Sequence, residues 1–209
     1  DPAVVAGLPA SALALARQNA QQANEQSAQH NSGEGANPHD DGSSKESWRL
    51  TLDAPCYLPV MTYAHDANLR EQMYRAYVTR ASDQGPDEGR FDNTQVLEEI
   101  LALRQEKATL LGFDSYADLS LQRKMAASAQ QVLDFILDLA VRTRPVAEAQ
   151  LQDLQAFAAA QGVDDLKAWD LAYYAEQLKR EQFSVSQEDF RPYLPVEHVI
   201  RGMFSIAER

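Results

Sequence analysis

The chain has 209 residues, 44% hydrophobic and 24% charged, the mixture of a polypeptide that folds around a core rather than a fibre or a wholly disordered tail. Its 31 acidic and 19 basic residues give a formal net charge of -12, which repels phosphate backbones and anionic headgroups and makes nucleic acid and membrane surfaces poor partners. A surface of that sign suits basic peptides, although solubility alone also explains it.

Cys56 has no second cysteine to pair with, as expected of a reducing compartment, so the cytoplasm is the expected location. No apolar run approaches the ~20 residues that cross a bilayer, and Asp1-Pro2 does not start the basic-then-apolar pattern of an export signal.

In chain order, the first expected helix runs from about Pro9 to Ala23, with Leu13, Ala16 and Ala20 along one side. The polar tract 24–47 has almost no large apolar residue to offset the entropy of ordering, and it reads as a mobile low-complexity insertion. Trp48, Leu50 and Leu52 then alternate with Arg49 and Thr51, the period of a short half-buried strand ending at Pro55.

A helix follows from Asn68, read as its N-cap, with Glu71 three residues on and Leu69, Met73, Ala76 and Tyr77 inward. Ser82 to Asp92 is loop, broken by Gly85-Pro86 and Gly89. Its acids Asp83, Asp87 and Glu88 argue against a phosphate cradle.

Thr94 to Leu111 is the next helix, with Leu97, Ile100, Leu101, Ala108 and Leu111 inward and Gly112 as its stop. The longest helical pattern starts with a capping box at Ser128 and Gln131 and reaches Gly162. Val132, Phe135, Ile136, Leu139, Val146, Leu154 and Phe157 lie inward, and Pro145 is expected to kink or divide it.

Two more helices are expected, Asp170 to Gln182 and Pro195 to the end, separated by a capped turn at Ser186 and Asp189. The stripe Val199, Ile200, Met203 and Ile206 is still advancing where the sequence closes at Arg209. Together with a first residue that is not Met, this reads as a segment of a longer chain. The fold expected is mainly α, with at most one or two short strands near Trp48–Leu52.

Four histidines are spread along the chain, His30, His39, His65 and His198, and none belongs to a His-Glu-x-x-His helix that would set two imidazoles one turn apart. His30 and His39 stand near Asp40 and Asp41 in a tract with nothing to hold ligands in place, so solvated loop is the better reading. Glu197 and His198 are neighbours, and adjacent helical residues do not face each other.

Cys56, between Pro55 and Tyr57, lacks a nearby base and reads as a buried inert thiol. The pairs Glu98-Glu99 and Asp164-Asp165 fit helix surfaces and caps. Tyr173 and Tyr174, close after Trp169-Asp170, form an aromatic group whose hydroxyls suit a peptide backbone, although core packing is the commoner use of such rings. No catalytic, cofactor-binding or metal-ligating residue is therefore assigned.

Longer stretches carry a resemblance. Leu50 to Ala64, Leu69 to Tyr77, Thr79 to Pro86, Asp92-Asn93, Glu98 to Arg104, Leu110 to Phe113, Lys124-Met125, Gln130 to Phe135, Ala168 to Asp170 and Tyr173-Tyr174 are collinear with the thimet oligopeptidase family of zinc metallopeptidases, in its bacterial branch. The tract 24–47 departs from it as an insertion into a connection that is short in relatives.

The resemblance implies that residues 1–209 are the helical part of a two-lobed enzyme whose channel admits short peptides. Its zinc-binding His-Glu-x-x-His helix and later Glu ligand would lie outside this sequence. Zinc is then a cofactor of the parent protein and is not bound by this piece, which is expected to be scaffold and channel wall and inactive alone. Self-association of the piece is expected. The competing reading is an acidic all-α module that binds other proteins.

Overall fold

The computed structural model describes residues 2–30, 47–87 and 89–208. Among them every regular element is helical: α1 Ala10–His30, α2 Ala54–Tyr63, α3 Ala67–Val78, α4 Thr94–Leu110, α5 Tyr116–Leu121, α6 Ala129–Ala160, α7 Leu171–Phe183, α8 Gln187–Phe190 and α9 Val196–Ala207, with a 3-10 turn at Arg191–Tyr193. The mainly α expectation is met. The chain forms two compact units, one of residues 1–74 and 165–209, the other of residues 75–164.

The first unit is built around α2, whose sequence is apolar along most of its length and which packs against both α1 and α7. Val60 is wholly enclosed and, with Val5, Leu8, Met61, Ala64, Leu69 and Met73, forms the core. Enclosing a side chain of that size stabilises a fold by about 1.5–3 kcal/mol. Ala12, Ala16 and Ala20 line the buried side of α1, where their small size lets other backbone approach closely.

The sequence pattern does not point to α2, because Pro55 fits the end of the extended run before it. Proline also suits a first helical turn, where the missing N–H would have no partner, and Pro55 occupies that place. The expected strand at Trp48–Leu52 is not formed. These residues run extended over α1, the Arg49 N–H donating to the Ala16 carbonyl at 3.0 Å, while Trp48, Leu50 and Leu52 lean on the core. Their alternation records one side facing the core, which a segment crossing a helix needs as much as a strand does.

Helix α1 continues seven residues past the expected end at Ala23, over a stretch in which Glu25, Gln26, Ala28 and Gln29 are good helix formers. The rest of the predicted insertion, apart from Ser47, lies outside the described residues, as do His39, Asp40 and Asp41.

The cap of α3 is Asp66, not Asn68: its Oδ1 accepts from the Asn68 and Leu69 N–H groups at 2.8 and 3.1 Å. Of the residues expected inward on α3, Leu69 and Met73 are buried and Tyr77 is exposed.

In the second unit, α5 packs against both α4 and α6. Helix α4 ends as Gly112 predicted. The Phe113 N–H donates to the Ala108 carbonyl and the Gly112 N–H to that of Thr109, a closure needing the left-handed backbone that Gly112 adopts at φ +80°.

Ser128 caps α6 by accepting from the Gln131 N–H, but the Gln131 side chain bonds the Ala127 N–H, so the expected reciprocal box is not closed. Pro145 does not divide α6, which is one element across it. Leu97, Ile100, Leu101 and Leu111 of the α4 region, and Phe135, Ile136, Leu139 and Val146 of α6, are exposed where the sequence pattern placed them inward. Ala108, Leu154 and Ala158 are the buried apolar residues here.

Candidate functional site

The densest polar arrangement in the first unit is centred on Arg70. Leu69 and Met73 hold their face of α3 in the core, which carries the neighbouring Arg70 inward too, until its side chain is only 3% exposed. Asp170, immediately before α7, meets it: Arg70 Nη2 donates to Asp170 Oδ1 at 2.6 Å, with that carboxylate 8% exposed.

The other carboxylate oxygen accepts from the Lys167 N–H at 3.3 Å, and Arg70 Nη1 donates to the Ala64 and His65 carbonyls at 2.7 and 3.1 Å. One guanidinium thus ties the α2–α3 connection to the start of α7 through Nη1 and Nη2, while its buried Nε has no hydrogen-bond partner among the described residues. The expected aromatic group closes around this pair.

Arg70 lies over the Tyr173 ring at 4.3 Å, the His65 and Tyr173 rings meet in a T-shaped contact at 6.1 Å, and Tyr174 stands perpendicular to Tyr173 at 5.2 Å. Tyr174 is buried, and burial, the largest influence, pushes its hydroxyl above the ordinary tyrosine range against the opposing pull of Arg70. Trp169 packs on Tyr74 at 5.9 Å. The Tyr173–Tyr174 pair therefore serves packing, cation–π and edge contacts within the core's rim.

A second polar group lies where α7 ends. Glu176 is buried and paired with Lys179 and Arg180 at 3.5 and 3.3 Å, and Arg180 also donates to Ser186 Oγ at 3.2 Å. Burial, followed by the negative charge of Glu176, raises the Tyr63 hydroxyl pKa. The capped turn predicted at Ser186 is present: the Ser186 N–H donates to Asp189 Oδ2 at 2.8 Å, and Ser186 Oγ accepts from the Glu188 N–H. Arg180, Ser184, Ser186, Glu188 and Asp189 line a recess of about 420 Å³ with charges of both signs already paired.

The histidines of the described residues stand on separate elements. His65 sits in the α2–α3 connection, His198 is exposed on α9, and His30 closes α1. Among the described residues no three His, Cys, Asp or Glu side chains come close enough to hold a metal ion. Cys56 is buried, as expected, and its Sγ accepts from the Thr51 N–H at 3.3 Å. Glu98 and Glu99 are exposed on α4, and Asp164 and Asp165 are exposed in the turn after α6, in keeping with solvated positions.

Sequence reasoning did not single out Arg70 or Glu176. For Arg70 the signal lay in a charge flanked by the inward positions Leu69 and Met73. An acid four residues before Arg180 on a helical stretch is the corresponding signal for Glu176.

The ion pairs and hydrogen bonds of these clusters do not by themselves define a class of protein, which sequence kinship does. Residues 60–209 match peptidase family M3, and the chain belongs to that family. Over its whole length it is 50% identical to oligopeptidase A of Escherichia coli and 46% identical to oligopeptidase A of Haemophilus influenzae. It is also 29% identical to dipeptidyl carboxypeptidase of Escherichia coli, over 78% of this chain and 24% of that protein. The chain spans 28% of the length of the two oligopeptidase A relatives.

Proposed function

We propose that this chain is the helical scaffold portion of a zinc-dependent oligopeptidase that hydrolyses short peptides, and that the portion alone is inactive. The observation that carries the reading is the M3 match over residues 60–209, joined to 50% identity with a protein named oligopeptidase A. Kinship of that extent favours the peptidase reading over the acidic interaction module.

Hydrolysis by a zinc peptidase needs three protein ligands and a bound water whose pKa the metal lowers to ~7. The residues present do not fit that metal. The sequence contains no His-Glu-x-x-His, and its four histidines stand at positions 30, 39, 65 and 198, spacings that cannot set two imidazoles on one helical turn. No catalytic step is therefore assigned to a residue of this chain. What its side chains do is hold shape, with the Arg70–Asp170 link fixing α3 against α7.

Short peptides are the substrate class of the proposed parent. The cytoplasm is its proposed location, supported by the lone buried Cys56 and by the absence, among the described residues, of a helix long and apolar enough to cross a membrane. Exposed apolar residues on α4, α6 and α9 support self-association of the portion when isolated.

The test is zinc content by elemental analysis together with hydrolysis of an internally quenched fluorescent peptide by the 209-residue chain. Substoichiometric zinc and no turnover above buffer are expected. Stoichiometric zinc with turnover abolished by a chelator would overturn the reading.

A further inference from the structure

We draw no further inference here: the strongest candidate, the open apolar groove of about 330 Å³ that α5 and the first turns of α6 form around Leu121, Val132 and Leu133 with Lys124 at its side, carries nothing because nothing in the structure shows what covers it.

Discussion

Replacing Asp170 by Ala should cost the first unit about 3–5 kcal/mol, the usual penalty for leaving one member of a buried ion pair uncompensated. The geometry makes the penalty a large one. At 2.6 Å, with an effective dielectric constant of about 20, the attraction is roughly 6 kcal/mol, and much of it offsets the desolvation of two side chains that are 3% and 8% exposed. Removing only the carboxylate keeps the desolvation of Arg70 and discards its compensation. The Lys167 N–H also loses its acceptor, about 1 kcal/mol more at a part-buried site.

Both tryptophans, Trp48 and Trp169, belong to the first unit, so urea unfolding followed by tryptophan fluorescence reports on that unit. The informative comparison is a cycle of D170A, R70M and the double variant. R70M should also destabilise, since it strands Asp170. The double variant should fall well short of the summed losses, because neither charge is then left alone. If the two losses simply add, or if D170A costs under about 0.5 kcal/mol, the buried pair does not hold α3 to α7 as argued.

Asp92 accepts from both the Thr94 hydroxyl and the Thr94 N–H, at 2.7 and 3.0 Å, and these bonds hold its carboxyl below the usual value of 3.8. A depressed carboxyl contributes stability that is present above its unfolded pKa and lost as pH falls through the folded one. The start of α4 should therefore fray below about pH 4, and a carboxyl titration by NMR should show the Asp92 midpoint rising in T94V; an unchanged midpoint would refute the assignment.

Gly7 and Gly112 both have positive φ, but a Cβ at Gly7 would collide with the Tyr63 carbonyl and the His65 ring, whereas one at Gly112 meets nothing. G112A should cost about 1 kcal/mol from backbone strain and G7A clearly more, a ranking readable from urea midpoints and refuted if reversed. The isolated chain should form dimers or larger species, because apolar residues of α6 and α9 such as Phe135, Leu137 and Ile200 are exposed; a monodisperse monomer by light scattering would refute this.

Legibility in the sequence followed the locality of the cause. The Gly112 stop, the Ser128 cap and the Ser186–Asp189 turn depend on residues within a few positions of one another, and each appears. Errors arose where two local rules competed. Pro55 can end an extended run or open a helix, and the apolar residues after it decided for a helix. Alternation at Trp48–Leu52 identified a half-buried extended segment, but α1 supplied the covering surface where a second strand was expected. The Arg70–Asp170 pair joins positions a hundred residues apart, and no periodicity connects them.

The inward positions of α4 and α6 failed for a different reason. Helical periodicity states which face of a helix is apolar, not which neighbour meets it, and the described residues of the second unit bury few of those side chains. The buried set there, Ala108, Leu154 and Ala158, contains a single large residue, against Val60, Met61, Leu69, Met73 and Tyr174 in the first unit. At about 25 cal/mol per Å² of enclosed apolar surface, that difference places most of the hydrophobic stabilisation in the first unit. The Arg70 clamp borders the apolar core through its neighbours Ala64 and Leu69, a buried ion pair adding fixed geometry to a core that enclosed apolar surface stabilises. For the proposed scaffold role, orientation of helices is the relevant output, and these interactions fix α3 and α7 within the first unit without enlisting a histidine as a metal ligand.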